Sequence, residues 1–169
     1  MENKTDLRIW AKSIRKTLDI KQISEVIAEK ISNLPKYQHA ENIMIFYPLK
    51  YEINLLSLMN SNKKFYLPKV EGEKLLVCPY KKNDKLELSD FGTKEPCTES
   101  VSPKILDLVI VPALAADKNN FRLGYGGGFY DRFLAKNNIY SITPVPFKLL
   151  LEELPTERQD IPIDLIITE

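Results

Sequence analysis

The sequence predicts an α/β fold: a three-layer α/β/α arrangement with a mostly parallel sheet and a small β-hairpin addition. Two observations carry this. The apolar runs IMIFY (43–47) and DLVIVP (107–112) are continuous, the pattern of strands covered on both faces. Stretches with apolar residues three and four apart precede and separate such strands, and this alternation lays helices on both sides of a parallel sheet.

Taken in order, residues 5–18 form a helix with Leu7, Trp10, Ala11, Ile14 and Leu18 on one face. A second helix, 22–34, runs through Ile23, Val26, Ile27, Ile31 and Leu34 and ends at Pro35. A strand at 43–47 is closed by Pro48, and a short helix follows at 53–60. KFYLP (64–68) is the next strand. LLVCPY (75–80) and KLEL (85–88) read as a hairpin turning at Lys82-Asn83-Asp84. Residues 89–104 are loop, with Gly92, Pro96 and Pro103. The strand at 107–112 comes next, then a helix opening at FYDRFLAK (129–136), then strands at 140–145 and 163–168.

The 169 residues make one domain, 1–169, long enough to fold on its core alone. A net charge of +1 lacks the basic excess of a nucleic-acid binder. No run of about 18 apolar residues predicts a membrane span. The polar opening MENKTDLRIWAKS has no export signal, so a cytoplasmic protein is expected. Cys78 and Cys97 read as two reduced thiols. The single histidine, His39, lies in a polar stretch, and no Ser-His or Cys-His pair offers a nucleophile.

The informative stretch is RLGYGGGFYDRF, residues 122–133. Four of the six glycines fall here, at Gly124, Gly126, Gly127 and Gly128. Glycines just before a helix let backbone N–H groups and the helix dipole face an anion, and Arg122 adds a fork of donors. This is a phosphate cradle, but not a common one. A Walker loop ends in Gly-Lys-Ser/Thr, whereas Phe129 follows Gly128. A dinucleotide loop follows its strand directly and has an acidic residue about 20 positions on, which is absent. Asp131 reads either as a first-turn carboxylate that favours the helix dipole or as a ligand for a divalent cation bridging to phosphate.

The segment from Asp107 to Leu134, DLVIVPALAADKNNFRLGYGGGFYDRFL, resembles the signature region of the 5-formyltetrahydrofolate cyclo-ligases. The likeness extends over nearly the whole chain, through Lys4-x-x-x-Arg8, Tyr47 to Glu52, Glu95-Pro96 and the ending LPTERQDIPIDLIITE. It departs from the family at Asn54-Leu55, Ala116-Asp117 and Gln159-Asp160. The resemblance implies conversion of 5-formyltetrahydrofolate to 5,10-methenyltetrahydrofolate, with ATP as co-substrate, Mg²⁺ as cofactor, and release of ADP and phosphate. In the mechanism the resemblance implies, the formyl oxygen attacks the γ-phosphate, and N10 closes the resulting iminium phosphate.

Both nucleophiles then belong to the substrate, so no catalytic side chain is expected. The resemblance places Lys4, Arg8, Arg122, Leu123, Gly124, Tyr125, Gly126, Gly127, Gly128, Phe129 and Tyr130 at the nucleotide. It places Tyr47, Glu52 and residues 125–129 at the folate, and Asp131 and Asp164 at the metal. Spacing alone reads Lys4 and Arg8 as a solvated face, Tyr47 equally as a strand-end core residue, and Asp164 as the opening of the last strand. The expected partners are a reduced folate and ATP, with no nucleic acid or membrane, and the protein is expected to be a monomer. A dinucleotide oxidoreductase and an inactive carrier are the competing readings.

Overall fold

The structure, a computed structural model, describes residues 3–169. Two amphipathic helices come first, α1 (Lys4–Arg15) and α2 (Ile20–Ser32), followed by a short α3 (Pro35–His39). Asn3 caps α1 by accepting from the Asp6 N–H, and Asp19 caps α2 through the Gln22 N–H. α2 ends at Ser32, short of the expected Leu34, and Pro35 instead starts α3, where its missing N–H costs nothing. The strands are β1 (Asn42–Met44), β2 (Lys64–Glu71), β3 (Lys74–Tyr80), β4 (Leu86–Leu88), β5 (Lys94–Pro96), β6 (Leu108–Ile110), β7 (Ala115–Asp117) and β8 (Arg122–Leu123). Then come α4 (Phe129–Lys136), β9 (Tyr140–Pro144), β10 (Leu150–Leu151) and β11 (Leu165–Ile167).

The main sheet has the order β11-β9-β6-β1-β2-β3. Its first five strands run parallel, and β3 is antiparallel to β2 at the edge. Alternation decides which helix covers which face. Ile43, Phe65, Leu67, Leu108, Ile110 and Ile142 meet Ile23, Ile27 and Ile31 of α2 and Tyr37 of α3. Met44, Tyr66, Val77, Val109 and Val111, one residue out of phase, meet Phe133 of α4. Three layers follow from strands that are apolar on both faces. No helix among the described residues is long and apolar enough to cross a membrane.

Three expectations need correction. The hairpin is β2–β3, turning at Gly72 (φ +59°), with seven pairs from Phe65↔Tyr80 to Glu71↔Lys74. With β3 already paired to β2, the turn at Lys81–Asp84 leads instead to β4, which pairs with β5 inside the expected loop 89–104. The expected helix at 53–60 is a tight 3₁₀ segment, Leu56–Asn60. A second sheet, β10-β7-β8, was not expected. It packs Leu114, Ala115, Ala116 and Leu123 against Leu7 and Ala11 of α1, and it delivers Arg122 to the start of the glycine stretch.

Two carboxylates fasten the N-terminal ends of the parallel strands. Asp107, before β6, accepts from the N–H groups of Glu41 and Asn42 at 2.9 and 2.8 Å, tying β6 to β1. Asp164, before β11, accepts from the Ser141 N–H at 2.8 Å and the Ser141 hydroxyl at 3.0 Å, tying β11 to β9. Asp164 therefore opens the last strand. Replacing it by alanine is expected to lower unfolding free energy by about 1–2 kcal/mol through these lost bonds, with nucleotide affinity unchanged. Urea denaturation beside a binding titration checks both halves of that expectation.

Candidate active site

Beyond the C-terminal ends of β1 and β6 the chain leaves the sheet at Phe46-Tyr47 and at Pro112. These residues, the glycine stretch and the segment 155–160 enclose a cleft of about 900 Å³. Parallel α/β sheets place ligands at this edge. Lys4, Arg8, Tyr47, Glu52, Asp131 and all of residues 122–130 line it. Asp164 does not line it, because it starts β11 at the opposite edge. The two expected metal ligands are thus not brought together, and Asp164 is corrected to a structural role.

Lys4 and Arg8 are not a solvated face. The Lys4 ammonium lies 2.6 Å from Asp160 and 3.6 Å from Glu157. Arg8 Nε donates to the Gly124 carbonyl at 2.9 Å, and its guanidinium carbon lies 3.5 Å from where a Cβ on Gly126 would stand. The spacing was right about one shared face. It could not show that the glycine loop and the C-terminal segment fold over that face.

The loop is built on two glycines in conformations that L residues avoid, Gly126 (φ +110°) and Gly128 (φ +67°). Gly128 is the N-cap of α4 and supplies no side-chain acceptor. The first-turn N–H groups are therefore without a side-chain cap and form a positive end suited to an anion. Gly127 has no positive φ; a Cβ there would meet the Phe129 ring at 2.6 Å.

Arg122 is the buried cation of this half, its side chain 4% exposed. One Nη donates to Asp131 at 3.1 Å and the other to the Pro112 carbonyl at 3.3 Å, while Nε has no partner. Burial pulls the guanidinium pKa down and Asp131 pushes it back up. The second Asp131 oxygen accepts from the Ile161 N–H at 3.2 Å. Asp131 is thus an ion-pair partner as well as a first-turn residue, a role that sequence spacing did not show. Among the described residues there is no cluster of three or more His, Cys, Asp or Glu side chains able to hold a metal alone.

Glu52 anchors the other half. Its carboxylate is buried, accepting from the Leu49 N–H at 2.8 Å and the Tyr125 hydroxyl at 2.7 Å. Burial pushes its pKa up; the bonds from Leu49 and Tyr125 and the charge of Arg15 pull it back. Aromatic rings line the walls between the halves. Tyr47 lies under the Lys94 ammonium, 5.2 Å from the ring centre, and Phe129 meets Phe91 edge-on at 5.6 Å.

Sequence reasoning missed Arg15, Phe91 and Lys94. Lys94 adjoins the Glu95-Pro96 pair, but Glu95 itself is structural, accepting from the Val70 N–H at 3.0 Å. Arg15 had a readable signal: it continues the buried positions Leu7 and Ala11 at four-residue spacing. His39 is exposed, as expected, and among the two free thiols Cys78 is buried and Cys97 exposed.

Residues 2–169 match the model of the 5-formyltetrahydrofolate cyclo-ligase family. The chain is 32% identical over 160 residues to a 5-formyltetrahydrofolate cyclo-ligase of Haemophilus influenzae, covering 86% of each protein. It is 29% identical to that of Escherichia coli, covering 87% of this chain and 88% of the other. The solution structure of a 5,10-methenyltetrahydrofolate synthetase from Aquifex aeolicus superposes with a TM-score of 0.84 at 29% identity, over 96% of this chain and 88% of that one. A Mycoplasma pneumoniae structure shares the fold at 20% identity, with a TM-score of 0.80 over 98% of both chains.

The raised pKa of Glu52 has a stability consequence. Its folded value lies above the ordinary 4.5, so its contribution is fully present below 4.5 and is lost as pH rises through the folded value. Glu52→Gln removes this titration. As pH rises from about 4 to about 8, the stability difference between wild type and variant is expected to move in the variant's favour. Thermal melts across that range measure it, and a constant difference would show a carboxylate that is not desolvated.

Proposed function

Because the chain belongs to the 5-formyltetrahydrofolate cyclo-ligase family and is an enzyme of that activity, we propose that its cleft binds ATP along the glycine loop and the reduced folate against Glu52. The observation that carries this reading is the pairing of two unlike ends in one cavity. One end offers a buried carboxylate, and the other offers Lys4, Arg8 and Arg122, the first and last paired with carboxylates, beside helix N–H groups that have no side-chain cap.

Glu52 suits a pterin, whose adjacent N–H donors meet a carboxylate side by side. Tyr47, Tyr125 and Phe129 offer flat apolar walls to the rings. Lys4, Arg8 and Arg122 suit the triphosphate, and the spare Nε of Arg122 is a buried donor in want of an acceptor. Asp131 keeps lone pairs beyond its bonds to Arg122 and Ile161, which fits a magnesium ion held by one carboxylate plus phosphate oxygens and water. When bound, that ion supplies neutralising charge at the phosphoryl oxygens.

The chain's part in the reaction is to position and to stabilise charge. The formyl oxygen attacks the γ-phosphorus, ADP departs, and an N5-iminium phosphate forms. N10 attacks the iminium carbon, and phosphate leaves carrying the formyl oxygen and the N10 proton, which closes the 5,10-methenyl ring. Lys4, Arg8 and Arg122 stabilise the charge that moves from the γ- to the β-phosphate.

Purified protein given 5-formyltetrahydrofolate, ATP and Mg²⁺ is expected to form the methenyl product, seen by near-ultraviolet absorbance. Binding of both ligands without product would overturn the reading in favour of a carrier. Glu52→Gln is expected to weaken folate binding by about 1.5–3 kcal/mol and to leave ATP binding nearly unchanged; calorimetry measures each.

For Asp131→Asn, turnover is expected to fall at least about tenfold, with partial recovery at raised Mg²⁺. Superimposable Mg²⁺ curves for variant and wild type would remove Asp131 from the metal. The variant also leaves Arg122 without its carboxylate, so its melts are expected to show a loss of about 3 kcal/mol or more.

A further inference from the structure

Tyr125 stands where the two halves of the cleft meet. Its backbone belongs to the glycine loop: the Gly124 carbonyl before it accepts from Arg8, and Gly126 after it holds φ +110°. Its hydroxyl leaves the loop and donates to Glu52 at 2.7 Å. The residue is 42% exposed and lines the cleft, with the Lys12 ammonium 6.0 Å from its ring centre.

A carboxylate has about four acceptor positions. On Glu52, the Leu49 N–H takes one on Oε2 and Tyr125 takes one on Oε1. One position remains on each oxygen, and two oxygens of one carboxylate can accept two adjacent N–H donors of a flat heterocycle. Without the Tyr125 hydroxyl the group is pinned through Oε2 alone, and its terminal torsion is broad and soft.

We propose that Tyr125 is a positioning residue for the folate: its hydroxyl fixes the Glu52 carboxylate with a matched acceptor pair facing the pterin, and it ties that end of the cleft to the glycine loop. This deepens, and rests on, the assignment of Glu52 to the pterin. The ionisable groups around Glu52 are Arg15 from α1, Tyr125 from the loop and Tyr130 from α4. Burial raises both phenols well above their ordinary value, so Tyr125 stays a donor throughout the working range. Its bond favours the ionised Glu52. Losing that bond moves ionisation of Glu52 to higher pH, and the acid limb of kcat/KM for the folate moves with it.

The test uses wild type, Tyr125→Phe, Glu52→Gln and the double variant as whole enzymes, with kinetics in each substrate across pH. Phenylalanine keeps the ring, and thermal melts confirm the fold. For Tyr125→Phe, KM for the folate is expected to rise about tenfold, with KM for ATP within about twofold. The acid limb should shift upward, and the effect should largely vanish in the Glu52→Gln background. An infrared titration of the Glu52 carboxylate gives a readout independent of turnover and is expected to move the same way.

If Glu52→Gln weakens the folate while Tyr125→Phe leaves KM and the pH profile unchanged, this proposal is overturned and the Glu52 assignment stands. If Glu52→Gln itself leaves folate KM unchanged, the assignment falls and the proposal with it. An equal rise in both KM values, or an effect undiminished in the double variant, also overturns it and leaves Tyr125 as a packing residue.

Discussion

The buried guanidinium of Arg15 is the contact on which the cleft depends. It donates to the carbonyls of Ala113, Leu114 and Tyr51, joining α1 to the chain beyond β6 and to the turn that carries Glu52. A cation this enclosed is costly unless its donors are met. Here carbonyls meet them, and among the described residues no carboxylate lies within ion-pair distance. Tyr51 adopts φ 64°, unusual for a bulky side chain, in the turn that presents its carbonyl. The remaining positive field reaches Glu52, where it opposes the effect of burial.

The two halves of the cleft share this logic. Each sets a buried arginine near a carboxylate that faces the ligand space, Arg15 with Glu52 and Arg122 with Asp131. The second pair is in direct contact at 3.1 Å; the first acts through space. The difference suits what each end is proposed to bind. Glu52 is left with acceptor capacity for N–H donors, whereas Arg122 is partly neutralised yet keeps a spare donor. The near-zero net charge of the chain conceals this local ordering, since opposite charges are placed ångströms apart.

The parts legible in the sequence were those with strong periodicity or concentrated chemistry. The stripe Leu7, Trp10, Ala11 gave α1, the runs at 43–47 and 107–112 gave β1 and β6, and the glycines marked the loop before α4. Boundaries were less legible: β1 covers only Asn42–Met44, and the Ile45 N–H still donates to the Tyr66 carbonyl at 3.0 Å before the chain turns toward the cleft. Strands β7, β8 and β10 are two or three residues long, too short to show alternation. The hairpin partner was misjudged because Gly72 and the Lys82–Asp84 stretch are both good turn signals, and only the length of β2 decides between them. The structural standing of Asp164 was likewise hidden, since strand direction settles which edge of the sheet a residue occupies.

That division between edges has a practical side. The aspartate clamps sit where parallel strands begin, and the cleft proposed to hold the ligands lies where they end. The protein therefore has two surfaces that can be altered separately. Changes that reinforce the clamped rim can raise heat tolerance without touching substrate choice. Loops on the opposite rim can be exchanged to redirect that choice while the sheet beneath keeps its fastenings. A scaffold divided in this way can accumulate novelty on one side while the other conserves its shape.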